Sequence, residues 1–205
     1  MAANDPVAMD AYLEDTLDVD NAVMRERIQD SGYETLNDLI RKDPKFATKV
    51  CQQVRKSTGG VAANKDVPVR IEEWLFSLII LVRFLYIVQR DVDFDRADPD
   101  TLEEIRYWFD NLSDSQPDAG DIPAFTDGAN KKTWFENLID HIKLMVGASG
   151  LRLGYVIREQ ANPPADDPGF NTPDFDSELI RRGRHNGHFW AEDNKKVWQL
   201  IRDKC

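Results

Sequence analysis

The sequence predicts an all-α protein that consists of two small helical units joined by a loop. Apolar residues recur every three or four positions, as in Val50 and Val54, and this spacing places side chains on one face of an α-helix. Residues typical of helix starts and ends flank most of these segments. We expect an N-terminal helical unit over residues 9–58, a linker over 59–69 and a C-terminal helical domain over 70–205.

The composition is that of a water-soluble globular protein with a folded core. Of the 205 residues, 41% are hydrophobic and 31% are charged, a balance that is usual for such domains. The two cysteines, Cys51 and Cys205, form no disulfide framework, which fits a reducing compartment. The first residues carry neither a basic nor an apolar signal segment, so we expect a cytoplasmic protein without a secretion signal.

The N-terminal unit is predicted to be a bundle of short helices, each with its own capping residue. Residues 18–21 offer caps for a helix that begins at residue 22, and Gly32 is a candidate for its C-terminal cap. Thr35 can cap the next helix, and Pro44 fits the first turn of the one after. Glycine and proline residues between 57 and 69 then mark the strongest internal boundary.

The longest predicted helix, 70–90, is apolar nearly all round, as expected of a helix at the centre of a core. Its apolar run is shorter than the roughly 20 residues that a bilayer span needs, so we expect no membrane segment. Arg83 interrupts this run. Because a buried charge without a partner is strongly destabilising, Arg83 requires a carboxylate or a carbonyl group beside it.

Four further helices are predicted after this central one. The first begins near Asp98, the second covers 133–146, and two short ones cover 176–182 and 193–204. Residues 151–157 are ambiguous, because their β-branched and aromatic side chains favour an extended segment. The expected apolar stripes consist of Ile105, Trp108, Phe109 and Leu112 in the first helix, and of Phe135, Leu138, Ile139, Ile142 and Met145 in the second.

The charge of the chain is negative and unevenly distributed. The net charge is −11, and residues 91–127 contain twelve Asp or Glu against Arg96 and Arg106. Such a charge disfavours phosphate binding by the chain as a whole. The stretch is either a solvated acidic face that keeps the protein in solution or a surface for a basic partner, including a basic segment of another copy.

No segment carries a complete calcium-binding motif. Asp91, Asp93 and Asp95 begin like a calcium loop, but Arg96 and Leu102 stand where glycine and glutamate are required. We therefore interpret these aspartates as helix caps.

The histidines do not form a recognisable site either. His185 and His188 have the spacing of metal ligands, but no third ligand lies nearby in sequence. Nucleophile-elbow and phosphate-loop motifs are absent from the sequence. We therefore expect no metal, no cofactor and no catalytic residue, and a protein that is not an enzyme. A site assembled from distant residues, such as Asp91, Asp93 and His141, is the remaining enzymatic alternative.

A small group of basic residues lies near the end of the chain, close in sequence to His185 and Trp190. Basic side chains beside aromatic ones can bind single-stranded nucleic acid. The same residues can also flank a short helix or pair with the acidic stretch of a neighbouring copy. The candidate nucleic-acid or inter-subunit contacts are Arg181, Arg182, Arg184, Lys195 and Lys196.

Several hydrophobic motifs, taken together, resemble one known family. They are LDVDNA at 17–22, GYETL at 32–36, VCQQVRK at 50–56, FLYIVQR at 84–90, GLRLGYVIRE at 150–159 and FWAEDNKKVW at 189–198. Over most of the chain, this arrangement is similar to the Gag-like capsid region of copia-type LTR retrotransposons, in the form found in microalgal genomes.

The resemblance implies a helical capsid protein that multimerises into a shell, or virus-like particle, around element RNA. It carries over no catalytic or ligand residue, since the family pattern contains none. The zinc knuckle that often binds RNA in Gag proteins does not occur in this sequence, so element RNA is expected to be bound by a part not present here. The resemblance thus favours a structural homo-oligomer, and the alternative is an acidic helical adaptor module that binds a basic partner.

Overall fold

The computed structural model describes residues 3–55, 67–118, 124–126, 130–158 and 174–204, which fold into α-helices and short 3₁₀ turns. In these ranges the β-type pairing is confined to an isolated bridge between Val146 and Arg152. The all-α prediction is therefore confirmed. The helices in the described ranges are α1 (Pro6–Asp15), α2 (Ala22–Asp30), α3 (Leu36–Leu39), α4 (Phe46–Arg55), α5 (Val69–Ile87), α6 (Pro99–Asp114), α7 (Lys131–Leu144), α8 (Phe175–Arg182) and α9 (His188–Lys204).

Two compact units are formed by parts of the chain that are not contiguous in sequence. Unit one comprises Met1–Tyr86 and Arg90–Tyr107, and unit two comprises Ile87–Gln89 and Trp108–Cys205. The structure thus divides the chain within α6, and residues on both sides of the predicted linker 59–69 belong to unit one. Of that linker, residues 59–66 lie outside the described residues.

Unit one combines the N-terminal helices with α5, because α5 is apolar on nearly all sides. Its 19 residues include Leu75 and Leu78, both completely buried. The Tyr33 hydroxyl donates a hydrogen bond of 3.2 Å to the Leu75 carbonyl, and the Arg83 guanidinium donates to the Lys42 carbonyl. The carbonyl partner predicted for Arg83 is therefore confirmed. None of the described helices has both the length and the apolar character of a membrane span.

The starts of several helices follow the predicted caps. The side chains of Asn21 and Asp98 accept hydrogen bonds from backbone N–H groups three residues further on, at 3.1 and 2.9 Å. Thr35 and Asp38 form a reciprocal capping box at the start of α3. Gly32 follows the end of α2 with a φ of +112°, a conformation that glycine adopts without a steric cost. The predicted caps of α2 and α3 are therefore confirmed, and Asp98 caps α6, which the sequence predicts to begin near this residue.

Unit two contains α7, α8 and α9 and a 3₁₀ turn at Leu153–Tyr155, which contacts both α7 and α8. The extended propensity of this segment does not produce a strand. Residues 153–155 form a 3₁₀ turn instead, and the Tyr155 side chain is completely buried in it. In α7 the predicted apolar stripe is confirmed at Leu138 and Ile142, which are fully buried. It is wrong for Phe135, which is 51% exposed.

Arg25 joins the first two helices through a buried guanidinium group. Its side chain is 8% exposed, and it forms ion pairs with Asp10 at 3.1 Å and with Glu14 at 3.0 Å. Its Nη1 atom donates to the carbonyl oxygens of Val19 and Asp20 at 2.8 and 3.1 Å. Because a guanidinium donates in several directions at once, one residue anchors α1, α2 and the loop between them.

We predict that Arg25→Met destabilises unit one by about 2–3 kcal/mol, because buried carbonyl oxygens lose their donor and two carboxylates lose their partner. Chemical denaturation measures this change. Arg41→Met is the matched control, since Arg41 is exposed and its substitution is expected to change stability by less than about 0.5 kcal/mol. Equal denaturation midpoints for the two variants would contradict the anchoring role of Arg25.

Candidate functional site

A buried carboxylate fixes the last helix against the loop that precedes the 3₁₀ turn. Asp193 of α9 is completely buried. Its carboxylate accepts hydrogen bonds from the Ser149 backbone N–H at 3.0 Å, the Ser149 hydroxyl at 2.5 Å and the Tyr155 hydroxyl at 2.8 Å. These donors replace the hydration that burial removes. The loop and α9 are thereby tied together at one residue.

Two glycines permit this close approach. A Cβ atom at Gly147 would lie 2.2 Å from Oδ1 of Asp193 and 2.6 Å from Cδ2 of Leu153. A Cβ atom at Gly183 would lie 2.3 Å from Cβ of Tyr155. Contacts this short do not occur between real side chains and their neighbours, so a larger residue at either position would push the loop or the turn away.

The direction of Asp193 determines which face of α9 is exposed. Phe189, Asp193 and Val197 follow each other at intervals of four residues, and all three are buried. Because a helix turns by about 100° per residue, the opposite side of α9 faces outward. Trp198 on that side is 64% exposed. We call this outward face the basic stripe, and it consists of Lys195, Trp198 and Arg202.

An open cleft runs along the basic stripe. Its volume is about 500 Å³, and Gln199 and Ile201 line it together with the three stripe residues. Tryptophan is frequent at the centre of protein–protein contacts, because burying its large ring removes much apolar surface from water. The two cations beside it, in a chain of net charge −11, attract an acidic surface. The basic stripe is therefore the candidate functional site.

The predicted contact residues Arg181 and Arg182 share the buried carboxylate of Glu178. Nη2 of Arg181 lies 2.6 Å from Oε2 of Glu178, and Nε of Arg182 lies 3.8 Å from Oε1. The side chains of Glu178 and Arg182 are only 6% and 12% exposed. Since a buried carboxylate is costly without a positive partner, both arginines have a structural role in unit two.

The other three predicted contact residues lie in different environments. Arg184 is half-buried, and its backbone N–H donates to the carbonyl of Ile87 at 2.7 Å. The ammonium group of Lys196 donates to the carbonyl of Val146 at 2.5 Å. Lys195 is exposed and belongs to the basic stripe. Of the five predicted residues, Lys195 is thus the one whose side chain lies mainly in solvent.

Sequence reasoning missed Trp198 and Arg202 as site residues. The predicted basic cluster followed closeness in sequence, whereas the basic stripe follows the helical intervals of three and four residues. Those intervals are visible once α9 is recognised as a helix. The outward direction of the stripe depends on the burial of Asp193, which no local pattern indicates.

The calcium-like segment has a capping role. Asp93 accepts a hydrogen bond of 3.2 Å from the backbone N–H of Arg96 and begins a 3₁₀ turn, which confirms the capping interpretation for this residue. Asp91 and Asp93 belong to unit one, and His141 belongs to unit two. Nε2 of His141 lies 3.0 Å from the carbonyl oxygen of Asp118.

The two histidines with ligand-like spacing have separate partners. Nε2 of His185 lies 2.7 Å from the carbonyl oxygen of Tyr155, and Nε2 of His188 lies 3.4 Å from the carboxylate of Glu192. Among the residues that the structure describes, no three Cys, His, Asp or Glu side chains are grouped as metal ligands would be. Both histidines therefore serve as local hydrogen-bond or ion-pair partners.

No protein-family model, curated protein or solved structure matches this chain. Its function is therefore proposed from its own sequence and geometry. Among the described residues, the feature on which we base this inference is the basic stripe, an exposed tryptophan between two cations on a helix whose opposite face is held by a buried carboxylate.

We predict that Asp193→Asn destabilises unit two by about 2–3 kcal/mol, because the amide group places N–H donors against the donors of Ser149 and Tyr155. Urea denaturation followed by near-UV circular dichroism measures the loss. Asp203→Asn is the matched control on the same helix, since the Asp203 side chain is 66% exposed, and it is expected to cost less than about 0.5 kcal/mol. Equal losses in the two variants would refute the role of the buried carboxylate.

Three buried tyrosines make the stability of the fold depend on pH in the alkaline range. Burial raises the pKa of Tyr12, Tyr33 and Tyr155 above the ordinary value of about 10. The negative charge of Asp98 raises the pKa of Tyr12 further, and that of Asp193 does the same for Tyr155. The folded protein therefore keeps these protons at a pH where the unfolded chain releases them. Their contribution is complete below the unfolded pKa and is lost as the pH rises towards the folded pKa.

We predict that the free energy of unfolding falls above about pH 10, by about 1.4 kcal/mol per pH unit for each of these tyrosines. Tyr155→Phe is expected to be less stable at neutral pH. Its free energy of unfolding should fall less steeply with pH, by about 1.4 kcal/mol per pH unit, because one titrating tyrosine is missing. Urea titrations at several alkaline pH values measure both slopes. Identical slopes for the wild type and Tyr155→Phe would contradict the prediction.

Proposed function

We propose that this chain is a structural protein that self-assembles into an oligomer or shell, in the manner of a Gag or capsid protein of a retroelement. The observation that carries the proposal is the basic stripe, in which Trp198 is 64% exposed beside a cleft. An exposed tryptophan in a cleft is a typical anchor for a protein partner, because burying its ring lowers the free energy of the complex.

The charge of the chain restricts how two copies can meet. Copies of net charge −11 repel each other at long range. A contact between them is therefore most favourable where one copy presents cations to the other. Lys195 and Arg202 provide such cations on the surface, where Nε of Arg202 lies 3.5 Å from the carboxylate of the exposed Asp203. Arg181 and Arg182, in contrast, are paired with the buried Glu178 inside unit two.

The resemblance to Gag-like capsid regions supports the same proposal. Such a protein consists of helical units, and the described residues form two compact helical units. Four of the five predicted basic contacts are half-buried, which reduces the basic surface that this cluster offers to phosphate groups. We therefore propose that element RNA is bound by a part not present here. The partner of this chain is a further copy of the same chain. We assign no residue a catalytic role.

A second candidate function is that of an acidic adaptor that captures a basic partner. It is favoured by the exposed carboxylates along α6, which belong to Glu103, Glu104, Asp110 and Asp114. An adaptor would remain monomeric, whereas a self-assembling protein would not. The two functions therefore differ in a property that can be measured directly.

We expect sedimentation velocity to show species larger than the monomer as the protein concentration rises, and fewer of them at high salt, because salt screens opposite charges. Negative-stain electron microscopy of the concentrated protein then distinguishes shells, tubes and rings from small oligomers. A monomer at every concentration and salt condition, together with binding to a basic polypeptide, would establish the adaptor instead.

Truncation of Trp198 tests the surface that carries this proposal. Trp198→Ala is expected to raise the dissociation constant of self-association by about tenfold or more, since central tryptophans dominate many interfaces. Phe135→Ala is the matched control, because it removes another exposed aromatic ring of unit two, one that is 51% exposed. Equal dissociation constants for the two variants would show that the basic stripe takes no part in the contact.

A further inference from the structure

Helix α6 carries an exposed acidic stripe. Glu103, Tyr107 and Asp110 are exposed, and Tyr107 is 75% exposed. Their intervals of four and three residues place them within about 60° of one another around the helix axis. Leu102 and Ile105, on the other side of the helix, are completely buried. We call the three exposed residues the acidic stripe.

The acidic stripe and the basic stripe have the same spacing in opposite chain directions. In α6 the aromatic residue comes four positions after the first charge, and the second charge comes three positions later. In α9, read backwards from Arg202, Trp198 comes after four positions and Lys195 after three more. At about 1.5 Å per residue, each stripe is about 10 Å long, with its ring about 6 Å from one end.

We infer that copies of this chain contact each other by packing α6 of one copy antiparallel against α9 of another. This inference rests on the proposed self-assembly and adds the two surfaces and the register through which it occurs. In this register the facing pairs are Glu103 with Arg202, Tyr107 with Trp198, and Asp110 with Lys195.

Charge favours the packing of α6 on α9 over the packing of either helix on its own counterpart in another copy. Packing α6 against α6 would bring carboxylates together, and packing α9 against α9 would bring cations together, so both arrangements are disfavoured. A parallel packing of α6 on α9 would also pair opposite charges, but it would offset the two rings by about 1.5 Å. The antiparallel packing aligns the rings, and it also places the positive end of each helix dipole beside the negative end of the other.

Charge reversal tests the surfaces. The variant Lys195→Glu with Arg202→Glu, and separately the variant Glu103→Lys with Asp110→Lys, are each expected to raise the dissociation constant of self-association by about tenfold or more. Sedimentation velocity over a range of concentrations measures these constants. An equimolar mixture of the two variants is expected to associate again, because each reversed stripe meets its reversed complement and each native stripe meets its native one.

Matched controls separate a local contact from a general effect of net charge. Lys45→Glu with Lys49→Glu, and Glu26→Lys with Asp30→Lys, change exposed residues of unit one and alter the net charge by the same amounts. They are expected to associate much as the wild type does. Far-UV circular dichroism and thermal unfolding establish that every variant is folded.

Disulfide trapping tests the register without depending on affinity. The experiment uses a Cys205→Ser background, in which the remaining Cys51 is buried. A chain with Glu103→Cys is expected to cross-link, on mild oxidation, to a chain with Arg202→Cys. A chain with Lys195→Cys is expected to cross-link to the Glu103→Cys chain several-fold less. The reason is that the antiparallel register places residue 195 about 10 Å along the helix from the position that faces residue 103.

The outcomes distinguish the inference from the proposed function. Association of the wild type, with charge-reversal variants that associate equally well alone and when mixed, would overturn the α6–α9 contact and leave self-assembly standing. If the Glu103→Cys chain cross-linked more to the Lys195→Cys chain than to the Arg202→Cys chain, the antiparallel register would be overturned. A wild type that remains monomeric at all concentrations would overturn self-assembly and the contact together.

Discussion

The hydrogen bonds of the Asp193 carboxylate are the constraint on which the surface of unit two depends. Burying a carboxylate is favourable only when donors replace its water, and Ser149 and Tyr155 supply them at 2.5–3.0 Å. Satisfying these bonds requires one rotation of α9 about its axis. That rotation also decides that Trp198 faces outward, so the exposed stripe is a consequence of a buried interaction on the opposite side of the helix.

Elsewhere in the described residues, buried charged side chains and exposed ones contribute to the structure in different ways. Arg25 and Glu178 are nearly buried, and each meets two partners of opposite charge within its own unit. Such charges stabilise the arrangement of the helices, and they contribute little to the electrostatic potential at the protein surface. The charged side chains of the two stripes are exposed, so they act over a Debye length and discriminate between partners.

The local part of this structure could be predicted from the sequence, and the long-range part could not. Asn21, Thr35 and Asp98 cap their helices through neighbours three residues away, so the pattern lies within one turn. The partners of Asp193 are 38 and 44 positions away, and no short motif connects them. Helical spacing also predicted a buried Phe135, but spacing gives only the side of a helix, and whether a neighbour covers that position depends on the tertiary arrangement.

The energetics of the proposed contact suit a protein that assembles in many copies. Exposed ion pairs contribute about 0–1 kcal/mol each, so a contact made of two such pairs and one pair of rings is weak on its own. A weak contact can open and re-form, which allows misplaced copies to dissociate before an assembly closes. When each copy makes the same contact repeatedly, the contributions accumulate across the assembly. A stable particle can therefore arise from a chain whose surface remains acidic and well hydrated, provided that α9 keeps the rotation that Asp193 imposes.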